Sequence, residues 1–436
     1  MRWLSFGTRY VHEAVGGTET YVHRLARALQ RRGVEVTAAF FSARPGRGEH
    51  DGVRYVALPD PAPAASRLEH WACAPRGLDG FQDLHDSVRP DVVHFHAALQ
   101  VHAPEYFAAA RRMGATTLWT YHAGGQTCLQ TALLENGRTP CDGLVEAYRC
   151  TRCGLRWSGL PAPLASAFAA VDLHRVARAV PRRLGHPLER RHGVEGFRAR
   201  LHEAFDLTDR MLTHAAWSRE LLARNGFPAA RTLELPLPPP DDADPPDGPS
   251  AWPGGDGRPR LLYAGRLLDI KGAHVAVEAV RGELRELPDV ELLVLGAPGN
   301  ARYERRLEAV AAGDRRIRLR SPVGSSALVA AMRAADAVVV PSLCLETGPY
   351  TVVEAAWMGT PVIGSRLGGI AERLAASEDG LTFVPGDARD LARCVLRLEA
   401  QRATPAARVA RAREFRRRYA GAFDAALSDL LAVASR

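Results

Sequence analysis

The chain contains a single lysine, Lys271, among 57 lysine and arginine residues, so 56 of its strong cations are arginines. Lys271 lies in the segment Gly265-Arg266-Leu-Leu-Asp-Ile-Lys271-Gly272, directly after a run typical of a buried strand at residues 260–264. A lysine ammonium is a compact charge on a flexible stem that can approach one phosphate oxygen closely, whereas a guanidinium is a planar fork. Two different cations on one glycine-bordered turn indicate a clamp for a diphosphate. The alternative is that Lys271 is an ordinary solvated residue.

Two glutamates, Glu346 and Glu354, lie eight positions apart on either side of Gly348-Pro349. Proline is well placed just inside the start of a helix, so we expect the backbone amides of Tyr350 and Thr351 at a helix N-terminus. Such an end binds anions, and a carboxylate accepts hydrogen bonds from paired hydroxyls. The segment therefore predicts a phosphate site with a sugar hydroxyl on one side and a ribose diol on the other.

Short apolar runs alternate with helix-like segments along the whole chain, which favours parallel sheets covered on both faces. We predict twelve strands, at residues 3–6, 34–40, 53–58, 91–96, 116–121, 211–215, 260–264, 290–295, 317–320, 337–340, 361–364 and 381–384. Residues 236–257 are rich in proline, glycine and aspartate and predict a linker. The expected fold is therefore α/β, with two doubly wound Rossmann-like domains, an interdomain cleft, and ligands at the carboxyl ends of the strands.

Composition excludes several classes of protein. The 436 residues are too many for one compact core, and 46% apolar and 24% charged residues are typical of a globular protein. No run approaches the ~20 apolar residues that span a bilayer, and residues 1–10 lack a signal-peptide core, so we predict a cytoplasmic protein. The formal charge of +8 is spread over both halves without a basic tail, which argues against a nucleic-acid partner.

A local group of arginines gives a separate hypothesis about membranes. Its members are Arg175, Arg178, Arg182, Arg183, Arg190 and Arg191. On a basic amphipathic segment they would contact an anionic membrane peripherally, at its inner face. A solvated helix face is the alternative.

Four of the seven cysteines, Cys128, Cys141, Cys150 and Cys153, occur close together. The last two have the Cys-x2-Cys spacing that suits tetrahedral zinc, and the other two would complete a four-thiolate set. The segment is rich in glycine and turn residues, so a structural zinc ion would hold together an insertion with little core of its own. Two disulfides or four free thiols are the alternatives.

Taken together, these segments resemble the signature of the family-four retaining glycosyltransferases, nucleotide-sugar enzymes of the GT-B architecture. The resemblance lies in Gly16-Gly17-Thr18-Glu19, Asp91-Val-Val-His-Phe-His96, Thr120-Tyr121-His122, Gly265-Arg266 with Lys271-Gly272, Glu346-x7-Glu354, Gly359-Thr-Pro-Val-Ile363, Gly368-Gly369 and Glu372. The chain departs from the family at Gly348-Pro349-Tyr350, where Phe-Gly-Leu is usual. Pro349 removes one amide donor from that turn.

The resemblance implies a hexosyltransferase that moves a sugar from a nucleotide-diphosphate sugar to a hydroxyl acceptor with retention. The implied catalytic residues are His122, Glu346, Arg266 and Lys271. The implied donor-binding residues are Gly17, Arg266, Lys271, Glu346, Gly348, Tyr350, Thr351 and Glu354. The acceptor would be a glycan, a lipid-linked sugar or a small molecule, and catalysis would need no cofactor.

The resemblance also sets the expected domains. They are an acceptor-side domain at 1–235 with a cysteine-bearing insertion at about 123–200, the linker at 236–257, and a nucleotide-sugar-binding domain at 258–414. A final helix at 415–436 would pack back on the first domain. The alternatives are a GT-B-fold sugar epimerase, which would release an isomer without an acceptor, and a non-catalytic zinc-bearing binding protein.

Overall fold

The computed structural model describes residues 1–13, 16–61, 75–99, 101–177, 182–240, 252, 258–321, 323–375, 377 and 380–435. The chain divides into two compact units, Met1–Pro238 with Ala426–Arg436, and Pro239–Ala425. Within the predicted linker, residues 241–251 and 253–257 lie outside the described residues. Each unit is built on one sheet in which nearly all strands are parallel.

The first unit contains ten strands among its described residues. They are β1 (Arg2–Phe6), β2 (Glu35–Ser42), β3 (Gly46–His50), β4 (Val53–Pro59), β5 (Val92–Phe95), β6 (Thr116–Thr120), β7 (Leu134–Glu135), β8 (Thr139–Pro140), β9 (Arg210–Thr213) and β10 (Thr232–Glu234). Eight of them form one sheet in the order β10-β9-β6-β5-β1-β2-β4-β3, and only β3 is antiparallel to its neighbour. Strands β7 and β8 form a separate hairpin. The chain order reverses between β1 and β5, which is where doubly wound sheets bind ligands.

Helices connect these strands and cover both faces of the sheet. Those of the first unit are α1 (Gly17–Arg31), α2 (Leu78–Val88), α3 (Pro104–Arg112), α4 (Ala147–Trp157), α5 (Ala162–Ala170), α6 (His174–Ala177), α7 (Arg182–Leu207) and α8 (Ala216–Arg224). Helices α4 to α7 and the β7–β8 hairpin all lie between β6 and β9, so they form an insertion between these two adjacent strands.

The second unit has a six-stranded, fully parallel sheet. Its strands are β11 (Arg260–Arg266), β12 (Glu291–Ala297), β13 (Ile317–Arg320), β14 (Ala337–Val340), β15 (Val362–Ser365) and β16 (Leu381–Phe383). Their order is β13-β12-β11-β14-β15-β16, the doubly wound order of a dinucleotide-binding fold. The helices are α9 (Ala273–Arg281), α10 (Ala301–Ala311), α11 (Ser325–Ala334), α12 (Tyr350–Trp357), α13 (Gly368–Ala375), α14 (Ala388–Ala400) and α15 (Pro405–Ala434).

Strand β11 lies at the centre of this second sheet, and its side chains alternate between two cores. Leu261 and Tyr263 pack with α9 on one face. Leu262 packs on the other face with Val352 of α12. Successive side chains of a strand point to opposite faces of the sheet. Because both faces of β11 are buried, most of its residues are apolar. This burial fixes where β11 ends, and therefore where the Arg266–Lys271 turn leaves the sheet.

All twelve predicted strands are present, and no strand end differs from its predicted position by more than two residues. Strands β3, β7, β8 and β10 were not predicted. Four of the five residues of β3 are exposed, so this edge strand lacks the apolar pattern that marks a strand. The C-terminal helix α15 begins at Pro405, ten residues before the expected start, and its residues from Ala426 onward belong to the first unit. Among the described residues, none of the helices is both long enough and apolar enough to cross a bilayer.

The turn between β11 and α9 requires glycine at position 272. Gly272 has φ +71°, and a Cβ there would lie 1.9 Å from the carbonyl oxygen of Pro341, just after β14. The Leu343 amide also donates to the Ile270 carbonyl at 2.8 Å. The loops that follow β11 and β14 are therefore in direct backbone contact.

We expect Gly272→Ala to destabilise the second unit by more than about 2 kcal/mol, because it adds a backbone clash to the cost of a left-handed alanine. Gly313→Ala is the matched control, since Gly313 has φ +80° and open space around the position of a Cβ. Urea unfolding of both variants checks this. An equal loss in the two variants would show that the contact with Pro341 is not tight.

Candidate active site

Lys271 and Glu346 form an ion pair where the loops after β11 and β14 meet. The Lys271 ammonium lies 2.8 Å from each carboxylate oxygen of Glu346. Ser342 also donates a hydrogen bond to Glu346 Oε1. The Lys271 side chain is 30% exposed and that of Glu346 is 13% exposed. The pair is thus partly accessible and lies at the point where the strand order of the sheet reverses, between β11 and β14.

The surroundings keep Lys271 charged. Burial acts to lower its pKa, but the neighbouring Glu346 carboxylate, and to a lesser degree the Cys344 side chain, outweigh burial, so that the pKa is raised above its ordinary value. The nearby Arg266 guanidinium acts in the opposite direction. An ammonium of this kind is a permanent positive charge over the whole physiological pH range.

Arg266 is the last residue of β11 and is exposed. Its guanidinium makes no ion pair with any described residue, while its carbonyl accepts a 2.8 Å hydrogen bond from the Tyr263 hydroxyl. The main chain at Arg266 is therefore fixed by a hydrogen bond, while the guanidinium is exposed and could contact an anionic ligand. Arg266 and Lys271 together provide the two cations that the sequence predicts on this turn.

The N-terminus of α12 follows the β14 loop closely. Gly348 has φ +155°, and Pro349 precedes the first helical residue, so it lies one position earlier than the sequence predicts. Pro349, the N-cap residue, makes no side-chain hydrogen bond to the start of the helix. The Thr351 hydroxyl donates to the Ala264 carbonyl of β11 at 3.4 Å. These contacts bring the start of α12 next to the end of β11, and Glu354 is half-buried one turn further along the helix.

Gly369, in the first turn of α13, holds the Glu346 backbone. The Gly369 amide donates to the Glu346 carbonyl at 2.8 Å. A Cβ on Gly369 would lie 2.7 Å from the Thr347 carbonyl oxygen and 2.8 Å from that of Glu346. The start of α13 can approach the loop this closely only because residue 369 has no side chain.

In the first unit, Gly17 is the exposed first residue of α1, the helix that follows β1. The N-cap residue, Gly16, has no side chain with which to cap this helix, and a Cβ on Gly17 would meet nothing within 4 Å. The space beside Gly17 at the N-terminus of α1 is therefore open among the described residues, and helix N-termini of this kind can bind anions.

His122 belongs to a group of histidines that follow neighbouring strands. His96 comes directly after β5, His122 two residues after β6, and His214 directly after β9. His96 Nδ1 lies 3.1 Å from His122 Nε2, and the ring of Tyr21 lies 4.8 Å from that of His122 and 4.7 Å from that of His214. The sequence analysis assigned a role only to His122, although one of its motifs ends at His96. A histidine within two residues of the end of each of three adjacent strands was the signal that could have identified the whole group.

Burial keeps these histidines neutral. It lowers the pKa of His94, His96 and His122 well below the ordinary value, and the neighbouring histidines lower it further. A neutral imidazole has one ring nitrogen that donates a hydrogen bond and one that accepts, and Nε2 of His122 already contacts His96. The His122 backbone is held by Gln126, whose Oε1 accepts its amide hydrogen at 2.6 Å.

The four clustered cysteines are free thiols, so the structure contains neither of the two disulfides that were an alternative. All four line one cavity of about 30 Å³ in the insertion. Within the part of the chain that is described, the one group of three ligand-type side chains with all ligand atoms within 4.8 Å of one another is Asp172, His174 and His192. The sequence analysis did not identify that group.

The arginines proposed to face a membrane do not form one exposed surface. Arg190 is buried at 5% exposure, and its guanidinium occupies the space that a side chain on Gly154 would need. Arg191 pairs with Glu195 at 3.0 Å. Arg178 and the side chains of Arg182 and Arg183 lie outside the described residues. The buried and paired arginines argue against the membrane hypothesis.

A larger cavity, of about 590 Å³, lies at the opposite edge of the second sheet, by the amino ends of β11 and β14. Seven arginines and one carboxylate line it: Arg258, Arg260, Arg333, Asp336, Arg397, Arg402, Arg408 and Arg411. None of the site residues predicted from the sequence lies there. Because ligands of doubly wound sheets bind at the carboxyl ends, we place the site at Lys271 and Glu346 rather than in this larger cavity.

Two protein-family models match this chain. The family model described as Glycosyltransferase Family 4 matches residues 15–152, and that described as Glycosyl transferases group 1 matches residues 258–401. The chain is 33% identical over 185 residues to a glycogen synthase of Mycobacterium tuberculosis, covering 40% of this chain and 42% of that protein. It is 37% identical over 125 residues to a D-inositol 3-phosphate glycosyltransferase of Pseudarthrobacter chlorophenolicus, covering 28% and 30%. The matches thus span well under half of these relatives.

Solved structures are similar over the whole chain. A sucrose-phosphate synthase from Thermosynechococcus elongatus has a TM-score of 0.65 at 20% identity, covering 99% of this chain and 97% of its own. Anabaena HepE in complex with UDP and glucose has a TM-score of 0.63 at 14% identity, covering 99% and 100%. The architecture is therefore GT-B. With both family models matched in order along the chain, the protein belongs to glycosyltransferase family 4.

The buried histidines predict a pH-dependent stability. In the unfolded chain they take up protons below pH about 6.5, whereas in the folded chain their pKa is lower, so stability is lost as the pH falls below about 6.5. Each histidine kept neutral contributes up to about 1.4 kcal/mol per pH unit in that range. Urea unfolding between pH 7 and pH 5 measures the slope.

Two variants control this experiment. His94→Gln removes one buried imidazole and should reduce the slope, whereas His202→Gln changes an exposed histidine and should leave it unchanged. A wild-type stability that is constant over this pH range would contradict the account.

Proposed function

We propose that the protein is a retaining glycosyltransferase that moves a hexosyl group from a nucleoside diphosphate sugar to a hydroxyl of an acceptor. The observation that carries this proposal is the Lys271–Glu346 pair, 2.8 Å apart, with Arg266 beside it at the carboxyl end of β11. Membership of glycosyltransferase family 4 supports it, because all three residues lie in the matched segment 258–401 and resemble the family's signature.

The two cations would act on the leaving group. When the bond between the sugar carbon and the phosphate oxygen breaks, negative charge grows on the diphosphate. A cation that is already in place stabilises this charge without reorganisation, which is where electrostatic catalysis contributes most. Lys271 would approach one phosphate oxygen, and the Arg266 fork would span two. This arrangement would replace the divalent cation that many other transferases use.

The carboxylates and the start of α12 would hold the remaining parts of the donor. Glu346 would accept hydrogen bonds from hydroxyls of the transferred sugar, and Glu354 from the ribose diol. The amides of Tyr350 and Thr351, with Gly348 before them, would contact the phosphates. Two structural neighbours were solved with nucleotides, HepE with UDP and glucose and starch synthase IV from Arabidopsis thaliana with ADP and acarbose, which supports a nucleotide donor for this fold.

Retention requires that the acceptor attack from the face that the diphosphate leaves. A departing phosphate oxygen is then close enough to take the proton of the acceptor hydroxyl as the new bond to the sugar carbon forms. No side-chain nucleophile is needed. In the first unit, His122 would hydrogen-bond to the sugar, and Gly17 would allow the backbone at the start of α1 to approach the ligand.

Lys271→Ala should lower kcat by about 10²- to 10³-fold, the usual cost of removing one group that stabilises transition-state charge. Lys271→Arg should also be impaired, because a planar fork cannot take the place of a compact ammonium paired with Glu346. Arg285→Ala is the control: this cation is 75% exposed and, among the described residues, forms an ion pair with its neighbour Glu286. Steady-state rates of folded variants test this, and a Lys271→Ala enzyme with the wild-type rate would contradict the assignment.

A thermal-shift panel of UDP, ADP and GDP, each with and without its sugar, tests donor binding directly. A ligand at 100 times its Kd stabilises the folded state by about 2.7 kcal/mol. We expect at least one of the six to raise the transition of the wild-type protein, and to raise that of Lys271→Ala less. Equal shifts in both proteins would mean that the nucleotide binds away from Lys271.

A further inference from the structure

The insertion between β6 and β9 gathers four thiols around one small cavity. Cys128 follows the short helical turn Gly124–Gln126, Cys141 follows β8, and Cys150 and Cys153 lie one turn apart on α4. All four side chains line the same cavity of about 30 Å³, which has room for one particle the size of a water molecule. A hairpin, a turn and a helix thus each bring cysteine to one point.

Backbone amides point at three of these sulfurs. The Asn136 amide donates to Cys153 Sγ at 3.2 Å, the Glu146 amide to Cys150 Sγ at 3.4 Å, and the Gly143 amide to Cys141 Sγ at 3.5 Å. A neutral thiol is a weak acceptor, whereas a thiolate is a strong one. Three amide donors aimed at sulfur are therefore an arrangement that suits metal-bound thiolates.

A guanidinium lies at the same place. Arg149 Nη2 is 3.4 Å from Cys141 Sγ, and Arg149 Nη1 is 3.0 Å from Asp142 Oδ2. Four thiolates around a divalent ion carry a net charge of −2, and a neighbouring cation offsets part of it. Arg149 supplies that charge on α4, between the hairpin and the Cys-x2-Cys pair.

The backbone of this segment is strained. Among the described residues, five residues other than glycine have a left-handed φ, and three of them are Thr131, Leu133 and Asn136. Such conformations persist where the surrounding structure fixes them. The hairpin itself has only two residues in each strand, so its own hydrogen bonds cannot supply that constraint.

We propose that Cys128, Cys141, Cys150 and Cys153 bind one zinc ion as a structural tetrathiolate site that holds the insertion together. In such a site each sulfur lies about 2.3 Å from the metal, which puts the sulfurs about 3.8 Å from one another. The thiols do not form a group within 4.8 Å as they stand, so side-chain rotation toward the cavity completes the site. On binding, the thiol protons leave to solvent and four Zn–S bonds form.

The zinc ion would also support His122. The turn that leads to Cys128 contains Gln126, which accepts the His122 amide hydrogen at 2.6 Å and donates to the Thr120 carbonyl at 2.7 Å. Asn225 of the segment after α8 binds the other side of the site, donating to the Gly143 carbonyl at 2.9 Å. Constraining Cys128 and Cys141 therefore constrains the loop that carries His122.

Metal analysis of the full chain tests this proposal. We expect about one zinc per wild-type chain after loading with zinc and desalting, and almost none in Cys150→Ser/Cys153→Ser. Cys394→Ser, which removes a thiol of the second unit, should keep its metal. His174→Ala separates the two candidate sites, because loss of the zinc in that variant would place the ion at Asp172, His174 and His192 and overturn the proposal.

A spectroscopic readout on wild-type protein avoids the risk that the double variant does not fold. Cobalt(II) bound by four thiolates gives intense sulfur-to-metal charge-transfer bands and tetrahedral d–d bands, whereas histidine and carboxylate ligands give no sulfur bands. We expect the sulfur bands in the wild-type protein. We also expect a mercurial to abolish these bands as it reacts with the four thiols of the site. Absence of metal uptake, or a cobalt complex without those bands, would overturn the proposal.

Discussion

The ion pair between Lys271 and Glu346 joins the two loops that leave the second sheet on either side of its switch point. Each partner needs the other: the carboxylate raises the pKa of the ammonium despite burial, and the ammonium satisfies both oxygens of the carboxylate. A half-buried charge without its partner is costly. The remaining features of the site, from Gly272 to the start of α12, can be understood as ways of holding these two side chains together.

Backbone contacts fix the positions of the loops that carry Lys271 and Glu346. Gly272 allows the β11 turn to touch Pro341, and Gly369 allows α13 to touch the carbonyls of Thr347 and Glu346. These contacts leave the charged ends of the side chains partly accessible while the main chain around them is fixed. Electrostatic stabilisation depends on such preorganisation, because a group that must move during the reaction loses part of its effect. In the first unit the same topological rule places His96, His122 and His214 at the ends of adjacent strands, where burial lowers the pKa of His96 and His122 and keeps these two neutral.

Much of this fold follows from short-range patterns in the sequence. Buried parallel strands such as β11 and β14 read as apolar runs, and their order along the chain predicts two doubly wound sheets. The exposed edge strand β3 and the two-residue strands β7 and β8 carry no such pattern, so they could not be predicted. Lys271 and Glu346 stood out by residue type and motif, but only the strand order brings them within 2.8 Å. The burial of Arg190 against Gly154 is a tertiary contact that no local pattern reveals.

The central claim is that the positive charge of Lys271 and Arg266 receives the diphosphate of a donor. A crystal structure of the protein with the nucleoside diphosphate that stabilises it most tests this directly. The account predicts phosphate oxygens within about 3 Å of Lys271 Nζ and of the Arg266 guanidinium, near the N-terminus of α12. Phosphates bound elsewhere, for example in the arginine-lined cavity at the opposite edge of the sheet, would contradict it.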